Sequence, residues 1–129
     1  MHSTDWLREL HEDWFPHMTD DGIRRLIALL ENNSPYLVSG CFSKATPMGC
    51  LATQIAWHHP STSSMTQDAG VIWLTRVARL NPATSCVIRE WDSRGPRDWD
   101  LRSELLTALR AEDERRVSVE SLETELQLA

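Results

Sequence analysis

Three cysteines and two adjacent histidines are the side chains best suited to chemistry: Cys41, Cys50, Cys86, His58 and His59. Thiolates and imidazoles are the donors of structural zinc, but such sites draw ligands in close pairs, so that two donors converge from one turn. A stretch containing Pro47 separates Cys41 from Cys50, and adjacent helical positions point about 100° apart, so His58 and His59 diverge. The spacing therefore predicts no metal and no other cofactor. Thiol chemistry would start from Cys41 or from Cys50, the better placed of the two. Cys50 falls in the first turn of a helix opening at Thr46-Pro47, where the positive helix end lowers a thiol pKa. The His58-His59 pair with Asp68 is a second candidate. Neither comes with a motif that supplies an orienting partner or an oxyanion donor. The thiols read as small buried side chains, and the chain as non-catalytic.

The second set of functional candidates is basic. All but one of the thirteen basic residues are arginine, the exception being Lys44, and Arg76, Arg79, Arg89, Arg94 and Arg97 cluster in mid-chain. Acidic ends flank them: Asp5, Glu9, Glu12, Asp13, Asp20 and Asp21 at one side, and Glu112, Asp113, Glu114, Glu120, Glu123 and Glu125 at the other. This pattern leads to the expectation that the five arginines form one partner-binding face. Its occupant would be an acidic protein or the chain's own Glu112–Glu125 segment. A clustered face accelerates association through its summed field, an effect that salt screens. Of the six tryptophans, Trp57 at a helix end and Trp99 after Gly95-Pro96 are expected to be partly exposed, and tryptophan and arginine are enriched in interface hot spots.

The elements that position these residues are helical. Ile23, Leu26, Ile27 and Leu30 share one face of a helix over 20–31, capped by Thr19; Leu101, Leu105, Ala108 and Leu109 do the same over 100–112, capped by Asp98 or Asp100. A first helix from Ser3 or Thr4 is expected to stop before Pro16. Tyr36–Phe42 fits a helix poorly and reads as an extended segment inserting Tyr36, Val38 and Phe42 between helices. A third helix runs from Thr46-Pro47 to His58, and a capping box at Ser64–Gln67 opens a fourth over 66–80. Its apolar residues cover most of its circumference, which predicts the central and most buried element. Asn81-Pro82 starts a fifth helix. Ser118 is a candidate cap for a last short one.

Val77-Ala78-Arg79-Leu80 followed by Asn81-Pro82-Ala83-Thr84 resembles the helix-turn-helix run of bacterial DNA-binding regulators. The resemblance implies a recognition helix within 74–91 and a DNA-associated function. The turn glycine of that pattern is missing, Pro82 stands in its place, and Glu90 and Asp92 would face phosphates.

The sequence thus predicts an all-α, compact single-domain bundle of six or seven short helices around a central buried helix. Residues 1–111 form the domain, and 112–129 a charged extension that is a short helix or frayed. At 129 residues the core is large enough to need no disulfide. A net charge of −6 disfavours nucleic acid as a general partner. No apolar run reaches the ~18–20 residues of a membrane span, and no signal peptide is expected at the N-terminus. The odd number of widely spaced cysteines suits a reducing compartment, so the expected location is cytoplasmic. The functional expectation is a non-catalytic protein-interaction or regulatory module, with the DNA-associated regulator as the alternative. The oligomeric state is left open.

Overall fold

A computed structural model describes residues 4–38, 50–65 and 68–128. The architecture is all-α, with no strand among the described residues. Among the described residues six α-helices follow in order: α1 (Thr4–Glu9), α2 (Asp20–Glu31), α3 (Leu51–Ala56), α4 (Ala69–Ile72), α5 (Cys86–Arg94) and α6 (Trp99–Leu128). A π turn, Leu10–Trp14, and a 3₁₀ turn, Phe15–His17, prolong α1; a second π turn, Trp73–Val77, prolongs α4.

α2 has the bounds its apolar spacing dictates. The Thr19 hydroxyl accepts from the Gly22 N–H at 3.0 Å and donates to the His58 carbonyl at 2.6 Å, so one side chain caps α2 and ties it to the end of α3. α2 also packs along α6, while α3 lies against α4 and α1 against α5. Gly70 lets α4 approach α3 closely: a Cβ there would lie 2.9 Å from the Thr53 backbone nitrogen.

Four tryptophans fill the centre. Trp6, Trp14, Trp73 and Trp91 are all buried. Each π turn carries one of a touching pair, Trp14 and Trp73, whose rings are 5.2 Å apart. The indole N–H of Trp91 donates to the Val38 carbonyl at 2.8 Å, which pins the segment after α2 to the core. Trp57 is half-buried, and Trp99 is 63 % exposed.

Several boundaries differ from those the spacing predicts. The chain stays helical past Pro16, because a proline fits the first turn of the 3₁₀ segment without an N–H to donate. In the run after α2 the buried residue is Leu37; Tyr36 is exposed and Val38 half-buried. Burial is complete along α3, from Leu51 to Ala56, whereas Val71, Ile72 and Val77 of α4 and its π turn are only half-buried. Left-handed residues bracket α4 and its π turn taken together, Asp68 before Ala69 and Arg79 after Val77. The Leu80 N–H closes that end by reaching back to the Leu74 carbonyl at 2.8 Å. α5 begins at Cys86 rather than Pro82. Asn81 instead closes a turn onto the Ala83 N–H at 2.9 Å, and Ser85 is the cap. Cys41, the Thr46-Pro47 start, Phe42 and the Thr66-Gln67 half of the capping box lie outside the described residues.

Asp98 caps α6, accepting from the Leu101 N–H at 2.9 Å. From there the helix runs unbroken to Leu128, with Ser118 inside it rather than capping a separate element. No helix among the described residues is long and apolar enough to cross a membrane.

Candidate interaction surfaces

The two described thiols, Cys50 and Cys86, are placed against reactivity. Cys50 is the residue before α3 and is buried, its sulfur 3.6 Å from the Thr53 hydroxyl. Burial pushes its thiol pKa up, which reverses the lowered value expected at a helix start. Burial, and then the Glu9 and Asp5 carboxylates, push Cys86 up as well. His58 is exposed, and the His59 ring accepts from the Ser61 N–H at 3.1 Å. Among the described residues no group of three or more His, Cys, Asp or Glu side chains is gathered for a metal.

The five arginines have different fates. Arg76, Arg79 and Arg89 are exposed. Arg94 is half-buried and bonded to Glu90 and Asp98, with Glu104 at 3.6 Å, so its charge is met within the chain. Arg97 is exposed beside Trp99 at the other end of the turn that follows α5. The acidic segment 112–125 makes its ion pairs on α6 and α2: Glu112 with Arg115 and Arg116, and Asp113 with Arg24.

The start of α5, the helix that the helix-turn-helix resemblance covers, is already taken by a carboxylate of this chain. Glu9 accepts from the backbone N–H groups of Cys86 and Val87 at 2.9 and 3.1 Å. It also accepts from the Ser85 hydroxyl at 2.6 Å and the Trp14 indole at 2.9 Å. An anion at a helix N-terminus is favourable, and here it arrives from α1.

The surface that spacing alone did not single out is the outer half of α6. Up to Arg116 the helix is bound to the body. Arg116 donates to the Phe15 and Met18 carbonyls at 2.6 and 2.9 Å, and to Asp20 and Glu112 at 2.9 and 2.7 Å. Beyond it, every residue from Val117 to Gln127 is exposed. Twelve residues at 1.5 Å each project about 18 Å. Val119, Leu122 and Leu126 are 41, 59 and 76 % exposed and follow one another at three- and four-residue spacing, one stripe of a helix. Glu120, Glu123 and Glu125 flank them, with no basic residue in 117–128.

This stripe continues a groove on the body. A cleft of about 780 Å³ lies between α1 and α6, lined by Leu7, His11, Asp100, Glu104, Thr107 and Ala108 among others. A second, of about 570 Å³, shares His11 and reaches Arg116. Leu122 and Leu126 stand about five turns beyond Glu104 and Ala108, on the same helix rows.

Two carboxylates at the ends of the docked half are expected to lend the fold acid sensitivity. Hydrogen bonds from Arg94 hold Asp98 below the usual carboxylate range. Those from Arg115 and then Arg116 do the same for Glu112 against its burial. Because the folded pKa is the lower one, the stabilisation is complete above the ordinary carboxylate range. It is lost as pH falls below about 4 towards the folded values. Melting temperatures measured from neutral to acid pH should drop in that window, and the drop should be shallower in Asp98→Asn and Glu112→Gln. Parallel curves for wild type and both variants would contradict this.

Comparison with protein-family models, curated proteins and solved structures returned no match for this chain.

Proposed function

We propose that the chain is a non-catalytic protein-interaction module of the cytoplasm whose docking element is the outer half of α6. Its occupant is a basic amphipathic helix of another protein. The observation that carries this reading is the exposure of Val119, Leu122 and Leu126 on a helix whose inner half buries Leu101, Leu105 and Leu109. An exposed apolar stripe rimmed by one sign of charge is an interaction surface, and helix-in-groove recognition reads such spaced anchors. Glu120, Glu123 and Glu125, on a stretch 117–128 that carries no basic residue, select a partner flanked by lysine or arginine. A second copy is a poorer occupant. The stripe holds fewer than the three or four heptads a coiled coil sustains, and like charges would face each other.

The exposed Arg76, Arg79 and Arg89 support a second contact, with an acidic protein on the opposite sign of charge.

A synthetic helix with a leucine seam and lysine flanks serves as the probe. The 129-residue chain should sediment as a monomer and bind this peptide more weakly as salt rises. Leu122→Glu with Leu126→Glu should cost about tenfold or more in affinity, which is about 1.4 kcal/mol, at an unchanged melting temperature. Equal binding by the double variant would overturn the reading. So would self-association of the wild type that the double variant abolishes.

A further inference from the structure

Arg102 is the one arginine of α6 that enters the interior, 6 % exposed. Its guanidinium donates to the Pro96 carbonyl at 2.7 Å, the Leu30 carbonyl at 3.1 Å and the Asn33 side-chain oxygen at 3.3 Å. These partners are neutral. They orient the cation and close the end of α2 without supplying a counter-charge. The guanidinium carbon lies 5.4 Å from the centre of the Trp99 ring, and that indole is the most exposed of the tryptophans among the described residues.

Arg102 and Trp99 line a cleft of about 480 Å³ between the end of α2 and the start of α6. Arg97 stands at its side, Leu37 and Pro96 form apolar wall, and no lining residue is acidic. Two arginines, an exposed indole and apolar residues thus line one volume in the range of small-ligand pockets. Arginine matches planar anions with two parallel N–H groups, and indole offers a face for stacking.

From this juxtaposition we infer that the cleft binds a small organic anion with a flat apolar body, an aromatic carboxylate being the simplest case. The carboxylate meets Arg97 and the edge of Arg102, and the ring lies on Trp99. The site is separate from the outer half of α6, so it stands whether or not that helix docks a partner.

The test uses 2-naphthoate and its neutral analogue 2-naphthamide, titrated into the 129-residue chain and followed by the NMR shift of the Trp99 indole N–H. Naphthoate should shift that signal saturably below millimolar concentration and bind about tenfold more tightly than the amide, as a charge-assisted contact requires. Arg97→Gln and Trp99→Ala should each weaken it about tenfold. Both replace exposed side chains, and an otherwise unchanged amide spectrum verifies the fold. Equal affinity for acid and amide would overturn the inference. So would binding indifferent to Arg97→Gln, or no Trp99 shift at millimolar probe.

Discussion

Leu74→Asp is expected to abolish the folded state. Leu74 is fully buried in the π turn that follows α4, next to Trp73, which touches Trp14. Truncating a buried leucine costs about 2–5 kcal/mol in lost transfer and cavity. A carboxylate adds several more, because no partner awaits it in an apolar interior. Together these approach the whole stability of a domain, about 5–15 kcal/mol. The variant should show no cooperative thermal transition and no near-ultraviolet tryptophan circular dichroism, whereas Leu74→Ala should retain both at a lower melting temperature. A native-like melt of Leu74→Asp would take the Trp73–Val77 turn out of the core.

Glu9→Ala ranks next. One carboxylate serves four donors, and two of them are backbone N–H groups at the start of α5 that no intrahelical carbonyl can reach. Hydrogen bonds to a charged group contribute about 1.5–3 kcal/mol each, but they are not additive when one group makes them all. A loss of about 3–4 kcal/mol is expected, measured as a shift of the urea midpoint at constant slope. Glu9→Gln keeps one carbonyl oxygen and should lose about half as much. A midpoint within error of wild type for Glu9→Ala would mean that Ser85 and solvent suffice to cap α5.

What could be read from the sequence follows from which forces act locally. α2 was legible to the residue, since Thr19, the acidic first turn and the 3-4 apolar spacing agree. The start of α5 was not, because Asn81-Pro82 and Ser85 both carry start signals and tertiary contact with Glu9 decides between them. The length of α6 was obscured by its charge. The change in composition after Arg110 reads as a boundary, yet no glycine or proline interrupts 99–128, and Arg116 binds that stretch back to the Phe15 and Met18 carbonyls ahead of α2. Cys50 is buried, as its small apolar character suggests, and that burial outweighs the pKa-lowering effect of its place at a helix start. Arg102 had no sequence signal at all. Its partners Leu30 and Asn33 lie about seventy residues away, a separation that leaves no periodicity to read.

The docking role of the outer α6 is tested most directly where the protein is made, by a photo-crosslinking residue placed at Leu122 and, as control, at the exposed Ser93 of α5. The account predicts an adduct from Leu122 alone. Its mapped peptide should be a helical segment with an apolar seam flanked by lysine or arginine, and the adduct should disappear with Leu126→Glu. Identical adducts from both positions, an adduct only to another copy of this chain, or none from Leu122 would contradict it.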